Sequence, residues 1–215
     1  LQVFSRSGRT IAYAKIGDGP VSAADVSKEA VSLSAIGDRL PANFEIPEKL
    51  HFGYWNEVPV LLISPLRVGA GQRPMRWLRI PTQEMIQFSA CFAAGESGLV
   101  NSPFWTRLLN GTQRLGSRER RHRLESLCDA ISSAAGGIQF SIGAWHGDWT
   151  PWNMAISRGR LQLWDWERFE TGVPLGLDIV HFAVNAVTRR AGFDLVAIRD
   201  ALELSEKALP HWDPV

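Results

Sequence analysis

At 215 residues, with 45% hydrophobic and 21% charged side chains, the chain is long enough for one large domain or two small lobes around a buried core. Its 23 lysines and arginines nearly balance 22 aspartates and glutamates, and a formal net charge of +1 supplies no global field to gather nucleic acid or an anionic membrane. No apolar run is long enough for a membrane span, the N-terminus lacks the order of a signal peptide, and Cys91 and Cys128 show no metal-ligand spacing, so a cytoplasmic protein with reduced core thiols is expected. A first residue of leucine rather than methionine suggests a processed, truncated or excised chain.

Residues 1–6 and 10–16 are short strand-like runs about Ser7-Gly8-Arg9, which predicts a β-hairpin with glycine in the turn and Lys15 at the end of its second strand. A strand-end lysine is commonly a solvated edge residue. After Gly17-Asp18-Gly19-Pro20, Ser22 and Asp25 form an S-x-x-D helix-start signature. Val26, Ala30, Leu33 and Leu40 then recur at helical spacing up to Pro41. Glu29 falls within this helix; read alone, it is a surface residue beside Lys28. Residues 50–55 and 58–63 predict a second hairpin about Asn56-Glu57, and Ser64-Pro65-Leu66 leaves the sheet. Residues 67–79, rich in glycine, arginine and proline, are expected to be a linker.

From Thr82 the chain is predicted helical. Met85, Phe88 and Phe92 share a face, Ser102-Pro103 opens a second helix, and Ser117 opens a third with Leu124, Leu127 and Ile131 inward. Arg118, Arg120, Arg121 and Arg123 in that third helix are read as a solvated face. Gly136-Gly137 breaks to a strand with Ile138, Phe140, Ile142 and Ala144 alternating. Beyond it lies the densest cluster of polar signals, from Trp145 to Trp166: His146-Gly147-Asp148, then Asn153, then Asp165 after a short hairpin. A helix is expected near Asp178 with Val180, Ala183, Val184 and Val187 apolar, and a last one over 195–208 stopped by Pro210.

His146-x-Asp148-x-x-x-x-Asn153, followed by a strand-borne Trp164-Asp165-Trp166-Glu167, resembles the aminoglycoside phosphotransferase and choline kinase-like branch of the protein-kinase fold. The plain alternative is that Asp148 and Asn153 cap a turn before a hairpin. The resemblance implies an α+β, two-lobe, protein-kinase-like fold: a small antiparallel-sheet lobe in residues 1–66 and a mostly helical lobe in 67–215. It also implies an ATP-dependent phosphotransferase in which Asp148 is the catalytic base and Asn153 and Asp165 hold Mg2+. Lys15 would grip the nucleotide's phosphates, paired with Glu29, and residues 63–66 (Ile63, Ser64, Leu66) would line the base pocket. His146 and Asp178 would brace the catalytic loop. These parts suit phosphoryl transfer, which needs charge neutralisation and positioning more than covalent help.

One part of the pattern is missing. Kinase-like lobes open with a strand and a glycine-bearing loop over the phosphates, and these would precede Leu1, since Ser7-Gly8-Arg9 lies between the next two strands. The partner implied is a small molecule with an acceptor hydroxyl, with a sugar or related metabolite ahead of an aminoglycoside or choline-like cation. Trp149, Trp152, Glu167 and Glu170 are candidate acceptor contacts, though packing is an equal reading for the two tryptophans. A catalytically silent binding module of the same fold is the alternative to an enzyme.

Overall fold

Small residues alternate with large ones in Thr10–Ile16, and the strand they form buries Ala12 and Ala14 while Ile11 and Tyr13 face out. In the computed structural model, residues 1–66 and 80–209 are described. The expected linker at 67–79 and the expected stop at Pro210 lie outside the described residues. The first sheet contains β1 (Gln2–Phe4), β2 (Thr10–Ile16), β4 (Lys49–Trp55) and β5 (Val58–Ile63), in the antiparallel order β1-β2-β5-β4. Asn56 and Glu57 join β4 to β5 with positive φ values of 47° and 67°, matching a two-residue turn to strand twist. Between β2 and β4 run α1 (Pro20–Ile36) and the short β3 (Phe44–Glu45).

The start of α1 differs from the sequence expectation. Proline at the first helical position begins the helix at Pro20, so Gly19 is the N-cap. Ser22 sits one turn in, and its Oγ accepts from the Gly19 N–H at 2.9 Å. The regular helix ends at Ile36, before Leu40. Val26, Ala30 and Leu33 are buried as expected, and Glu29 is buried with them.

The remaining elements are α2 (Thr82–Ala90), β6 (Glu96–Gly98), α3 (Pro103–Gln113), α4 (Arg118–Ala134), β7 (Gln139–Trp145), β8 (Met154–Ser157), β9 (Arg160–Leu163), β10 (Glu170–Pro174), α5 (Leu177–Ala191) and α6 (Leu195–Ala208). Two further three-stranded sheets, β10-β7-β6 and β3-β9-β8, frame the region after His146, with β3 parallel to β9. Among the described residues one apolar cluster joins the first sheet to the helices: Leu33, Ile36 and Leu61 belong to the same core as Phe88, Trp149, Trp166 and Phe182. Phe88 packs against Phe44, Phe92, Trp149, Trp166 and Phe169 with ring centroids 5.5–6.5 Å apart.

The inward face expected for α4 is not buried. Leu124, Leu127 and Ile131 are 39%, 57% and 46% exposed; α4 packs on α3 at the periphery and buries Cys128 instead. On α5 the expected Ala183 is buried and the expected Val184 and Val187 pack half-buried against the core, while Ile179, Phe182 and Ala186 extend the buried face and Val180 is half-buried. α6 packs along α5. Cys91 and Cys128 are free thiols.

Gly143 of β7 lies against α2: a Cβ there would sit 2.5 Å from the Ser89 carbonyl oxygen. Gly143→Ala is therefore expected to destabilise the protein by about 2–3 kcal/mol in urea unfolding, because backbone rather than a flexible side chain must move. Leu127→Ser should stay within about 0.5 kcal/mol of the parent.

Candidate active site

β7 carries the chain to His146, and the turn that follows has its N–H groups held from outside. Asp178, in the first turn of α5, accepts from the His146 N–H at 2.7 Å through Oδ2 and from the Gly147 N–H at 3.1 Å through Oδ1. Gly147 has φ of +80°, and a Cβ there would lie 2.4 Å from the Arg168 carbonyl oxygen, so both conformation and space demand glycine. The fully buried His146 ring lies 3.1 Å from the Trp164 carbonyl through Nε2, and its Nδ1 accepts from the Asp148 N–H at 3.3 Å. Nε2 therefore carries the proton. Burial pushes the imidazole's pKa down to about 3, so it stays neutral. Burial likewise pushes the Asp178 carboxyl up to about 7, against the pull of its two backbone donors.

Asp148 projects from this braced loop. Asn153 Nδ2 donates to Asp148 Oδ2 at 2.9 Å and to its carbonyl at 3.0 Å, which leaves Asn153 Oδ1 as the end of the amide able to meet a cation. Partial burial raises the Asp148 pKa, opposed by His181, Arg168 and the Asn153 amide. Asp165 is not on a strand: β9 ends at Leu163, and Asp165 takes a left-handed conformation with φ 65° and ψ 67° that turns the chain sharply.

Lys15 links the parts. Its Nζ lies 2.6 Å from Glu29 Oε2 and 2.6 Å from Asp165 Oδ1. Burial alone would lower this ammonium's pKa; the two carboxylates outweigh it and hold it above the usual value. Oxygens of Glu29, Asp165 and Glu167 lie within 4.8 Å of one another, and the Lys15 ammonium engages the first two of them. Beside them is a cavity of about 430 Å³ lined by Tyr13, Ala14, Ile63, Ser64 and Leu66, with Lys15 and Asp165 at its polar end. Its walls are mostly apolar, and its polar end carries an ammonium and a carboxylate.

The expected acceptor contacts fare differently. Trp149 is fully buried, edge-on to Phe44 and Phe88, and offers no face to a ligand. Trp152 is 37% exposed, with the Arg189 guanidinium 4.4 Å above its ring. Glu170 is 3.3 Å from Lys28 Nζ and 2.9 Å from Arg107 Nε, so its charge is already matched and it is not available to draw an amine. Glu167 stands with the carboxylates near Lys15. The sequence reading missed His181, whose Nε2 is 3.9 Å from Asp148 Oδ1. The signal was present: residues 178 and 181 are three apart on a helix and share a face.

The sequence matches no protein-family model and no curated protein. Solved structures do resemble the fold. A thermostable mutant of the aminoglycoside phosphotransferase APH(4)-Ia, in its apo form, aligns with a TM-score of 0.51 and 14% identity over 94% of this chain and 71% of that one. A protein provisionally named a fructosamine-3-kinase, from Haemophilus somnus 129PT, aligns with a TM-score of 0.52 and 10% identity over 95% and 80%. At such identities the likeness is one of fold: a small antiparallel sheet and several helices in a protein-kinase-like arrangement. Among the described residues, no helix is long and apolar enough to cross a membrane.

The two buried groups beside the loop set opposite pH dependences. His146 titrates near 6.5 unfolded and about 3 folded, so its contribution is complete above pH 6.5 and falls as pH drops towards 3. Asp178, moved from 3.8 to about 7, contributes fully below pH 3.8 and loses that contribution as pH rises to 7. Urea midpoints measured across this range should separate them. His146→Gln should leave stability falling with rising pH, and Asp178→Asn should leave it falling with decreasing pH.

Proposed function

We propose that this chain transfers the γ-phosphoryl group of ATP to a hydroxyl of a small molecule. The observation that supports this most is the Lys15 ammonium held at 2.6 Å by both Glu29 and Asp165 at the polar end of the cavity. A cation fixed there by two carboxylates is positioned for phosphate oxygens, and Glu29 keeps it aimed when Asp165 turns to other work. Asp165 and Asn153 Oδ1 would hold magnesium, which supplies neutralisation of the charge on the transferring group. Ile63, Ser64 and Leu66 would line the base pocket, the apolar walls taking the flat ring.

Asp148 is the group to accept the hydroxyl proton. Its raised pKa makes it a better base than an exposed carboxylate, while the Asn153 amide keeps its orientation. His146 exchanges no proton in this scheme; neutral and buried, it locks the turn. The acceptor favoured is a hydroxylated metabolite, with a sugar as the first class to test. Glu170 is already paired with two cations and Arg189 covers one side of Trp152, which argues against a polycation.

The assignment is tested with two variants. Asp148→Asn should lower transfer of labelled phosphate to a pool of hydroxylated metabolites by at least about 100-fold. Its magnesium-dependent ATP affinity in calorimetry should stay within about twofold of the parent. Asp165→Asn should weaken that affinity by about tenfold or more. Indistinguishable nucleotide affinities with both variants active would show the roles to be wrongly assigned.

A further inference from the structure

His181 projects from α5 towards the catalytic loop, and its two ring nitrogens meet different surroundings. Nδ1 is buried with no hydrogen-bond partner among the described residues. Nε2 faces Asp148 Oδ1 across 3.9 Å, beyond the roughly 2.7–3.2 Å of a direct hydrogen bond. Burial keeps the imidazole's pKa below its usual value, with the Asp148 charge pulling the other way and Arg168 reinforcing the shift. A neutral ring has one proton to place. Orphaned buried N–H groups are rarer and costlier than buried lone pairs, so the proton belongs on Nε2, facing Asp148.

Asp148 is also divided. Oδ2 accepts from the Asn153 amide at 2.9 Å, which leaves Oδ1 as the oxygen turned to His181. A donor and an acceptor 3.9 Å apart fit a single hydroxyl oxygen. That oxygen accepts from Nε2–H and donates its own hydrogen to Oδ1, at about 2.8 Å from each.

We propose that His181 is the second contact of the acceptor, holding the hydroxyl oxygen against Asp148 and selecting a hydroxyl over an ammonium group. This rests on the phosphotransferase reading above. An ammonium group has no lone pair to offer Nε2–H, so it would leave that donor unpaired. Arg168, whose backbone closes on Gly147 of the same loop, adds a further positive charge on this side. In the transfer step the hydroxyl oxygen bonds to the γ-phosphorus and the bond from that phosphorus to the β–γ bridging oxygen breaks. ADP leaves with the electron pair, the hydroxyl proton passes to Asp148 Oδ1, and His181 keeps its own proton.

The test has two arms, both on the full chain. Nitrogen-15 NMR of the histidine side chains, without nucleotide, should find His181 neutral at pH 7 with its proton on Nε2. A charged ring or a proton on Nδ1 overturns the inference. The second arm measures magnesium-dependent ATP turnover with water or glycerol as the acceptor, so no natural substrate is needed. His181→Leu should lower turnover about tenfold with the KM for ATP unchanged, the size of one lost oriented hydrogen bond. His181→Gln, whose amide nitrogen can reach the same point, should recover part of that loss, which guards against a folding defect. If His181→Leu turns over like the parent, the inference fails and the phosphotransferase reading stands. If the parent protein neither binds ATP with magnesium nor turns it over, both fall.

Discussion

One ammonium group holds three distant parts of the chain together. Lys15 comes from a strand, Glu29 from the helix that follows, and Asp165 from the turn after β9, 150 residues away. Glu29 is almost completely buried and would be an uncompensated charge without its partner. Breaking such a pair by removing one member typically costs about 3–5 kcal/mol, whereas the intact pair adds little net stability. The pair's value is thus mainly positional, and it sets how the first sheet and α1 meet the turn that carries Asp165. A second tether works in the same direction at the surface, where Glu170 of β10 joins Lys28 of α1 to Arg107 of α3.

The turn from His146 to Asn153 is braced by groups that take no part in the proposed chemistry. Asp178 satisfies two of its N–H groups from α5, and His146 ties it to the Trp164 carbonyl. Trp149 and Trp166 then anchor both ends of the region in one aromatic cluster around Phe88. Side chains packed this closely have one low-energy arrangement, which fixes the backbone that carries Asp148 and Asn153. Trp149 and Trp166 fill the space beneath the turn. Of the two tryptophans expected to meet the acceptor, Trp152 alone keeps a solvent-facing ring, and it shares that ring with Arg189.

Several features followed directly from the chain's own order. Strand alternation in residues 10–16, the Asn56-Glu57 turn, the Ser102 and Ser117 caps and the span of α6 depend on neighbours within a few positions, and local physics decides them. The spacing of His146, Asp148 and Asn153 is also local, because a single short loop carries all three. Lys15 and Glu29 were legible as a pair only through the resemblance to kinase-like lobes, in which the order strand, lysine, helix, glutamate recurs.

Tertiary structure decided what periodicity cannot express. An apolar stripe says that a face can be buried, not that a neighbour is there to bury it; Leu124, Leu127 and Ile131 are exposed because α4 lies at the periphery. The same limit hid Trp149 beneath the loop it belongs to. Glu170 looked free for an amine because its two cations, Lys28 and Arg107, arrive from elements 142 and 63 residues away. The pairing of His181 with Asp148 likewise needs α5 docked against the loop before their separation has any meaning. Sequence by itself therefore determined the elements and the polar groups within one loop, whose geometry is set by bonded neighbours. The fold decided which of those groups face a ligand, because burial and electrostatic pairing depend on what packs from far along the chain.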